Sequence, residues 1–253
     1  MKIQYASDLH LEFSANSSYL KLNPLEITGD ILILAGDIDY LREDGNYAHP
    51  FWDWAAKSYM QVIVVLGNHE LYQGYDINAL REGTILPIRD NVFYYYNAVV
   101  HIENVDIIAS TLWAKIDPQD AYLTERRVSD FRSTIADGEH RLTAERFNAE
   151  HERCLQFIKQ SVDNSTADKI IVVTHHVPSL LVSSPDFEGS SINGAFVSEQ
   201  AGYIADSRID YWIYGHSHRN IDAEIGGTKC VSNQLGYTFA DEHHTFDRAK
   251  VIY

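Results

Sequence analysis

Asp8-Leu9-His10, Gly36-Asp37, Gly67-Asn68-His69-Glu70, Thr174-His175-His176 and Gly215-His216-Ser217-His218 are the stretches of this chain whose residue types can do chemistry. They supply carboxylates, imidazoles and one amide, without a thiolate. That mixture suits Mn, Fe, Zn, Co or Ni better than a Ca or Mg cage, which relies on oxygen donors. Enough donors are present for two divalent metal ions side by side, a pair that acidifies water and clamps phosphoryl oxygens. The implied reaction class is metal-assisted hydrolysis. One Asp-x-His or His-x-His pair would carry little weight, because a turn after a strand uses the same residues. The order of the segments, each after an apolar run, is what argues against coincidence.

Those apolar runs are the elements that must position the donors. Ile31–Ala35 is unbroken, aliphatic and of strand length, which predicts a strand buried on both faces. Lys2–Ala6, Val62–Leu66, Ile170–Val173 and Tyr211–Tyr214 read similarly, and each leads into one of the polar segments. Helices are expected from Pro50 to Tyr59, with Pro in the first turn, and over Thr143–Val162 and Ser198–Asp206. The second of these places Phe147, Cys154, Leu155, Ile158 and Val162 on one face. Alternating strands and helices imply parallel pairing. By contrast, Val92–Tyr96, Ala98–Ile102 and Val105–Ser110 lack intervening helices and predict an antiparallel hairpin or meander, with a turn at Glu103-Asn104.

Both patterns fit an α/β fold: a four-layer αββα sandwich of two mixed sheets flanked by helices. With few prolines and no Gly/Ser-rich linker, residues 1–253 are expected to form one domain. The polar stretches 115–142 and 177–197 are expected as long loops or small helices at the rim of a site. Ligands of α/β sheets bind beyond the carboxyl ends of the strands, where the polar segments fall. In extended backbone, residues i and i+2 point the same way. Asp8 with His10, and His216 with His218, are therefore each expected to aim two donors at one point. Asp37, after a strand and a glycine, is free to bridge two ions, while Asn68 offers an amide oxygen and His175 another imidazole.

The ordered pattern D-x-H, G-D, G-N-H-[DE], H and G-H-x-H resembles the calcineurin-like metallophosphoesterase superfamily, from Asp8 to His218. The resemblance implies Asp8, His10, Asp37 and His218 around one metal, and Asp37, Asn68, His175 and His216 around the other. It implies His69 as the catalytic group that protonates the leaving oxygen or stabilises the transition state, with Glu70 orienting His69 or buttressing its loop. Metal-activated hydroxide would attack phosphorus in line, with no covalent intermediate. Protein Ser/Thr phosphatases of the superfamily carry G-D-x-x-D-R-G. Here Gly36-Asp37-Ile38-Asp39-Tyr40-Leu41-Arg42 lacks that block, which argues against that branch. Gly67–Tyr72, Thr111-Leu112-Trp113 and Thr174–Ser179 look more like small bacterial or phage phosphoesterases.

The formal charge is −16, from 36 acidic and 20 basic residues. Such a surface repels a nucleic-acid backbone at long range, so the expected partner is a small-molecule phosphate ester such as a nucleotide. A nuclease of the same chemistry is the alternative. A non-catalytic metal-binding scaffold is more remote, because no ligand of the pattern is lost. No run of about 18 apolar residues marks a membrane span. Lys2 leads directly to Asp8 with no room for a cleavable leader, so a cytoplasmic location is expected. Cys154 and Cys230 share no short spacing and read as core. His176 is expected to back His175 rather than bind. His49, His101, His140, His151, His243 and His244 are expected in packing or surface roles. Trp113 reads equally as core or pocket wall. Among Arg126, Arg127, Arg132, Arg141, Arg146 and Arg153, most are expected on a solvated face, with Arg127 or Arg132 able to reach a phosphate. Nothing in the sequence sets the oligomeric state.

Overall fold

The computed structural model describes residues 1–42, 44–138 and 140–253. Its first part runs β1 (Ile3–Ala6), α1 (Ser14–Leu22), β2 (Ile31–Leu34), α2 (Pro50–Ser58), β3 (Gln61–Val65), β4 (Thr84–Arg89) and β5 (Val92–Tyr96). Next come β6 (Ala98–Ile102), β7 (Val105–Ser110), α3 (Ala121–Arg127), α4 (Asp130–Ser133) and the small hairpin β8 (Ile135–Asp137) and β9 (His140–Arg141). The chain continues through α5 (Ala144–Asn164), β10 (Lys169–Thr174), α6 (Ala201–Asp206) and β11 (Tyr211–Tyr214). It closes with β12 (Ala223–Ile225), β13 (Thr228–Ser232) and β14 (Val251–Ile252).

Two six-stranded sheets result, ordered β14-β1-β2-β3-β5-β4 and β12-β13-β11-β10-β7-β6. The inner strands pair in parallel, and β14, β4, β12 and β6 join antiparallel at the edges. The period of two in each strand explains the layering. Ile3, Tyr5, Ile31, Ile33, Ile63 and Val65 of one sheet pack with Ile107, Ala109, Ile171, Val173 and Ile213 of the other. The alternate residues Leu32, Leu34, Val62 and Val64 face outward onto Trp52 and Ala55 of α2. On the far side, Val172 and Trp212 meet Leu155, Ile158 and Val162 of α5 and Ile204 of α6. Both faces of each sheet are therefore apolar, as unbroken aliphatic runs require. This is the expected four-layer α/β sandwich.

Helix α5 begins where Thr143 caps it, its side chain accepting from Arg146 N. Helix α2 starts at Pro50, after His49 accepts from Phe51 N. The strands β4, β12, β13 and β14 and helix α1 lie outside the elements expected from periodicity. They are short or partly exposed, and edge pairing completes them. The stretch 115–142 folds into α3, α4 and the β8–β9 hairpin, and 177–197 into single turns of 3-10 helix. Among the described residues, no helix is long and apolar enough to cross a membrane.

Candidate metal centre

Strands β1, β2 and β3 lie side by side, as do β10 and β11 in the facing sheet. Their carboxyl ends deliver Asp8, Asp37, Asn68, His175 and His216 to one place. The chain does not reach it in extended form. Asp8, His10, Asp37, His216 and His218 all have positive φ, between 47° and 73°. The convergence of Asp8 with His10, and of His216 with His218, therefore comes from left-handed turns and not from the i, i+2 rule for extended backbone. For non-glycine residues that conformation costs on the order of 1–3 kcal/mol each, and it persists only where the surroundings over-determine it. Here they do. Asp8 N and His10 N donate to Gly36 O and Asp37 O at 3.0 Å each. Likewise His216 N donates to Asp8 Oδ1 at 3.1 Å and His218 N to Gln234 Oε1 at 2.6 Å.

The glycines of the motifs are explained by the same crowding. A Cβ on Gly36 would strike the His175 ring, and one on Gly67 would strike the Asp37 carboxylate.

Three overlapping groups of donors form: Asp8, His10 and His218; His10, Asp37 and His69; Asp37, His175 and His216. Asp37 belongs to two of them. Its Oδ1 is 3.3 Å from His175 Nε2 and its Oδ2 is 3.8 Å from His10 Nε2. Asn68 Oδ1 is 3.0 Å from His175 Nε2. All seven residues expected as ligands thus meet, and His69 stands beside them with Nε2 4.0 Å from Asp37 Oδ2.

The donor set also tests whether cations fit. His10 Nδ1 faces Glu12 Oε1, His218 Nδ1 faces Glu242 Oε2 and His175 Nδ1 faces Ala35 O, so those nitrogens carry the protons. His216 turns Nε2 to Ala195 O. The bare nitrogens then confront each other, His10 Nε2 with His218 Nε2 at 3.2 Å and His175 Nε2 with His216 Nδ1 at 3.1 Å. Facing lone pairs beside two buried carboxylates need a positive charge between them. The residues fit bound divalent cations, and outer partners fix each tautomer as metal-bound histidines require.

Protonation follows the same logic. Burial works against an imidazolium at His175, yet Asp37 and Asp8 raise its pKa to about 9. At His218, burial is outweighed by Asp8 and Glu242, which lift it to about 10. Their partners His10 and His216 are lowered, chiefly by burial. One proton per facing pair thus takes the position a metal would contest. Asp8 and Asp37 are held below the usual carboxylate range, because the histidines outweigh their burial.

Glu70 and His69 part company. The Glu70 carboxylate is fully buried and accepts from Asp37 N (2.9 Å), Gly67 N (2.8 Å) and Ile38 N (2.8 Å). It clamps the two loops that carry Asp37 and Asn68, which is the buttressing role; it does not orient His69. Burial, then Asp37, push its pKa up to about 8 while the backbone N–H groups pull it down. His69 is oriented by Glu12, whose Oε1 lies 2.9 Å from Nδ1. Burial lowers the His69 pKa, but Asp37 and Glu12 more than offset this and leave it raised.

Several residues that the motifs do not name complete the site. Glu12 is one, and the alternation Asp8-x-His10-x-Glu12 was the available signal. Asp130 accepts from Asn68 Nδ2 at 2.9 Å and from Tyr72 OH at 2.5 Å, fixing the amide so that its oxygen faces His175. Tyr237 and Glu242 come from irregular chain after β13 and carry no sequence signal. His176 takes the backing position, its ring 4.2 Å from that of His216 and its Nδ1 3.3 Å from Thr111 O. Trp113 is fully buried behind it, a core residue. His151 is also core, between Leu112 O and Ser198 Oγ. Arg146 and Arg153 are spent on buried Glu150.

A cavity of about 480 Å³ opens over the donors. Val128, Ser129 and Asp130 from one rim stretch and Phe187, Ile192 and Phe196 from the other form part of its wall. Arg127 is its one lining Lys or Arg among the described residues.

The sequence model of the calcineurin-like phosphoesterases matches residues 1–220. The chain belongs to that family. An uncharacterised protein of Acanthamoeba polyphaga mimivirus is 26% identical over 262 residues, covering 93% of this chain and 91% of its own. Among solved structures, the phosphopantetheinyl hydrolase PptH of Mycobacterium tuberculosis aligns with a TM-score of 0.71 at 16% identity, over 99% of this chain and 95% of that one. TT1561 of Thermus thermophilus aligns at 0.51 and 13% identity, over 92% and 88%. At those identities the likeness to the two structures is one of fold. Family membership and the clustered His and Asp donors together support a metal-dependent phosphoesterase.

Proposed function

We propose that this protein hydrolyses phosphate esters of small, soluble substrates such as nucleotides, with two divalent cations at the centre described above. The observation that carries the reading is Asp37, whose two oxygens face separate donor groups, His10 on one side and His175 on the other. Asp8, His10, Asp37 and His218 would hold one ion, and Asp37, Asn68, His175 and His216 the second. Bound there, the ions would supply hydroxide from water at neutral pH and neutralise phosphoryl charge.

The chain's own residues do the rest. Glu12 holds His69 Nδ1, which leaves Nε2 as the atom that can pass a proton to the leaving oxygen. The Arg127 side chain makes no hydrogen bond or ion pair with the described residues, so its guanidinium is free to hold a phosphate oxygen. Phe13, Phe196 and Tyr237 form the aromatic part of the wall against which the leaving group would pack. A cavity with one arginine on an acidic protein favours a compact substrate over a nucleic-acid strand.

Turnover of bis-p-nitrophenyl phosphate and p-nitrophenyl phosphate, with added Mn²⁺ and other divalent metals, tests the reading and separates diester from monoester preference. Rates no higher than those of His69→Ala with every metal would favour the scaffold instead.

A further inference from the structure

Tyr237 belongs to none of the sequence motifs, yet it closes the site. Its backbone N–H donates at 2.7 Å to Glu242 Oε2, the oxygen that also meets His218 Nδ1 at 2.6 Å. The ring lies 4.7 Å from that of His10 and 4.5 Å from that of His218, and it is packed by Phe13 and Phe239. This packing fixes where the hydroxyl ends: on the cavity wall, 3.3 Å from His69 Nε2. No other hydrogen-bond partner of that nitrogen is found among the described residues. The Asp37 carboxylate is farther, at 4.0 Å. A phenol carries its proton at neutral pH and can both accept and donate a hydrogen bond.

We propose that the Tyr237 hydroxyl is a further catalytic group, relaying the proton from His69 to the departing oxygen; this rests on the phosphoesterase reading above. Hydroxide forms the new P–O bond. As the old P–O bond breaks, its electron pair goes to the leaving oxygen, which takes the Tyr237 proton and departs as an alcohol or phenol. The Tyr237 oxygen takes the Nε2 proton of His69 in the same event, and His69 ends neutral. Solvent reprotonates it. A relay accounts for a buried, protonated phenol held against the one ring nitrogen of His69 that Glu12 leaves free.

The test compares the metal-loaded wild type with Tyr237→Phe, His69→Ala and the double variant on methyl p-nitrophenyl phosphate and methyl phenyl phosphate. p-Nitrophenolate leaves without a proton; phenolate needs one far more. Tyr237→Phe should slow the p-nitrophenyl ester by less than about 10-fold and the phenyl ester by about 100-fold or more, the range of general acid catalysis. Groups on one proton path are non-additive, so the double variant should lose no more than the worse single variant. Metal content, measured by atomic emission, should match the wild type in Tyr237→Phe. Equal losses on both esters, multiplied losses in the double variant, or a loss explained by missing metal would each overturn the relay. Wild-type protein that cleaves neither these diesters nor the monoesters p-nitrophenyl phosphate and phenyl phosphate would sink the phosphoesterase reading and the relay with it, whereas wild-type turnover of either ester pair with a flat leaving-group response to Tyr237→Phe sinks the relay alone.

Discussion

Glu12 ties His69 to His10: one carboxylate oxygen, Oε1, stands 2.9 Å from His69 Nδ1 and 3.0 Å from His10 Nδ1. The proposed proton donor and a proposed metal ligand therefore share one anchor, and both rings turn Nε2 towards Asp37. Glu12→Gln keeps the size and removes the charge. It should cost about 10–100-fold in metal affinity or turnover, as loss of a ligand's outer partner does. Metal titration alongside rate measurement separates the two effects, and unchanged values in both would show that the shared contact is idle.

Asp37 and Asp8 are not equivalent. Asp37 joins two donor groups and Asp8 one. Asp37→Ala should lose metal at both positions, and Asp8→Ala chiefly at one, with the larger loss of activity in Asp37→Ala. Metal stoichiometry after dialysis checks this; two tightly held ions in Asp37→Ala would refute the bridging role.

Glu70→Gln tests the clamp. Three backbone N–H groups converge on the carboxylate. At pH 9, above the Glu70 pKa of about 8, the ionised carboxylate accepts from all three, whereas an amide cannot, because its NH₂ would face a donor. Leaving buried donors unpaired costs about 1–3 kcal/mol each. Urea unfolding at that pH should show a loss of at least that size in the metal-free protein, where activity plays no part. An unfolding midpoint equal to the wild type's would exclude a clamping role.

Arg127→Ala should weaken substrate use with little effect on stability. Its guanidinium is exposed and has no partner among the described residues, and such surface changes stay within about ±0.5 kcal/mol. Arg132 is engaged with Arg126 O and Ser129 Oγ and does not line the cavity. Arg132→Ala is therefore the matched control. The expected result is a lower kcat/KM for Arg127→Ala alone; equal effects of the two changes would remove Arg127 from the site.

Much of this architecture was legible in the chain because the relevant signals are local. A strand covered on both faces must be apolar throughout, so β2, β3 and β10 declare themselves, and the polar break after each marks the end where ligands gather. The donors Asp8, His10, Asp37, Asn68, His175, His216 and His218 were readable for the same reason. Glu12 was within reach, since it extends the spacing of Asp8 and His10 by one step. Asp130 and Tyr237 were not. Asp130 sits in a one-turn helix and Tyr237 in a loop, neither marked by periodicity, and their roles come from a partner far along the chain: Asn68 for Asp130 and His69 for Tyr237.

The sequence by itself determined the two-sheet sandwich, the donor types and the order in which strands deliver them, because burial and ligand chemistry depend on residue type and local spacing. Only the tertiary structure decided how the donors are aimed. The left-handed turns at Asp8, His10, Asp37, His216 and His218 exist because backbone and side-chain bonds from facing loops hold them there. The same is true of which nitrogen of each histidine carries its proton. That choice rests with Glu12, Ala35, Ala195 and Glu242; Ala35 meets His175 only once the two sheets pack face to face, and Ala195 and Glu242 reach His216 and His218 only when the loops after neighbouring strands of the second sheet fold together.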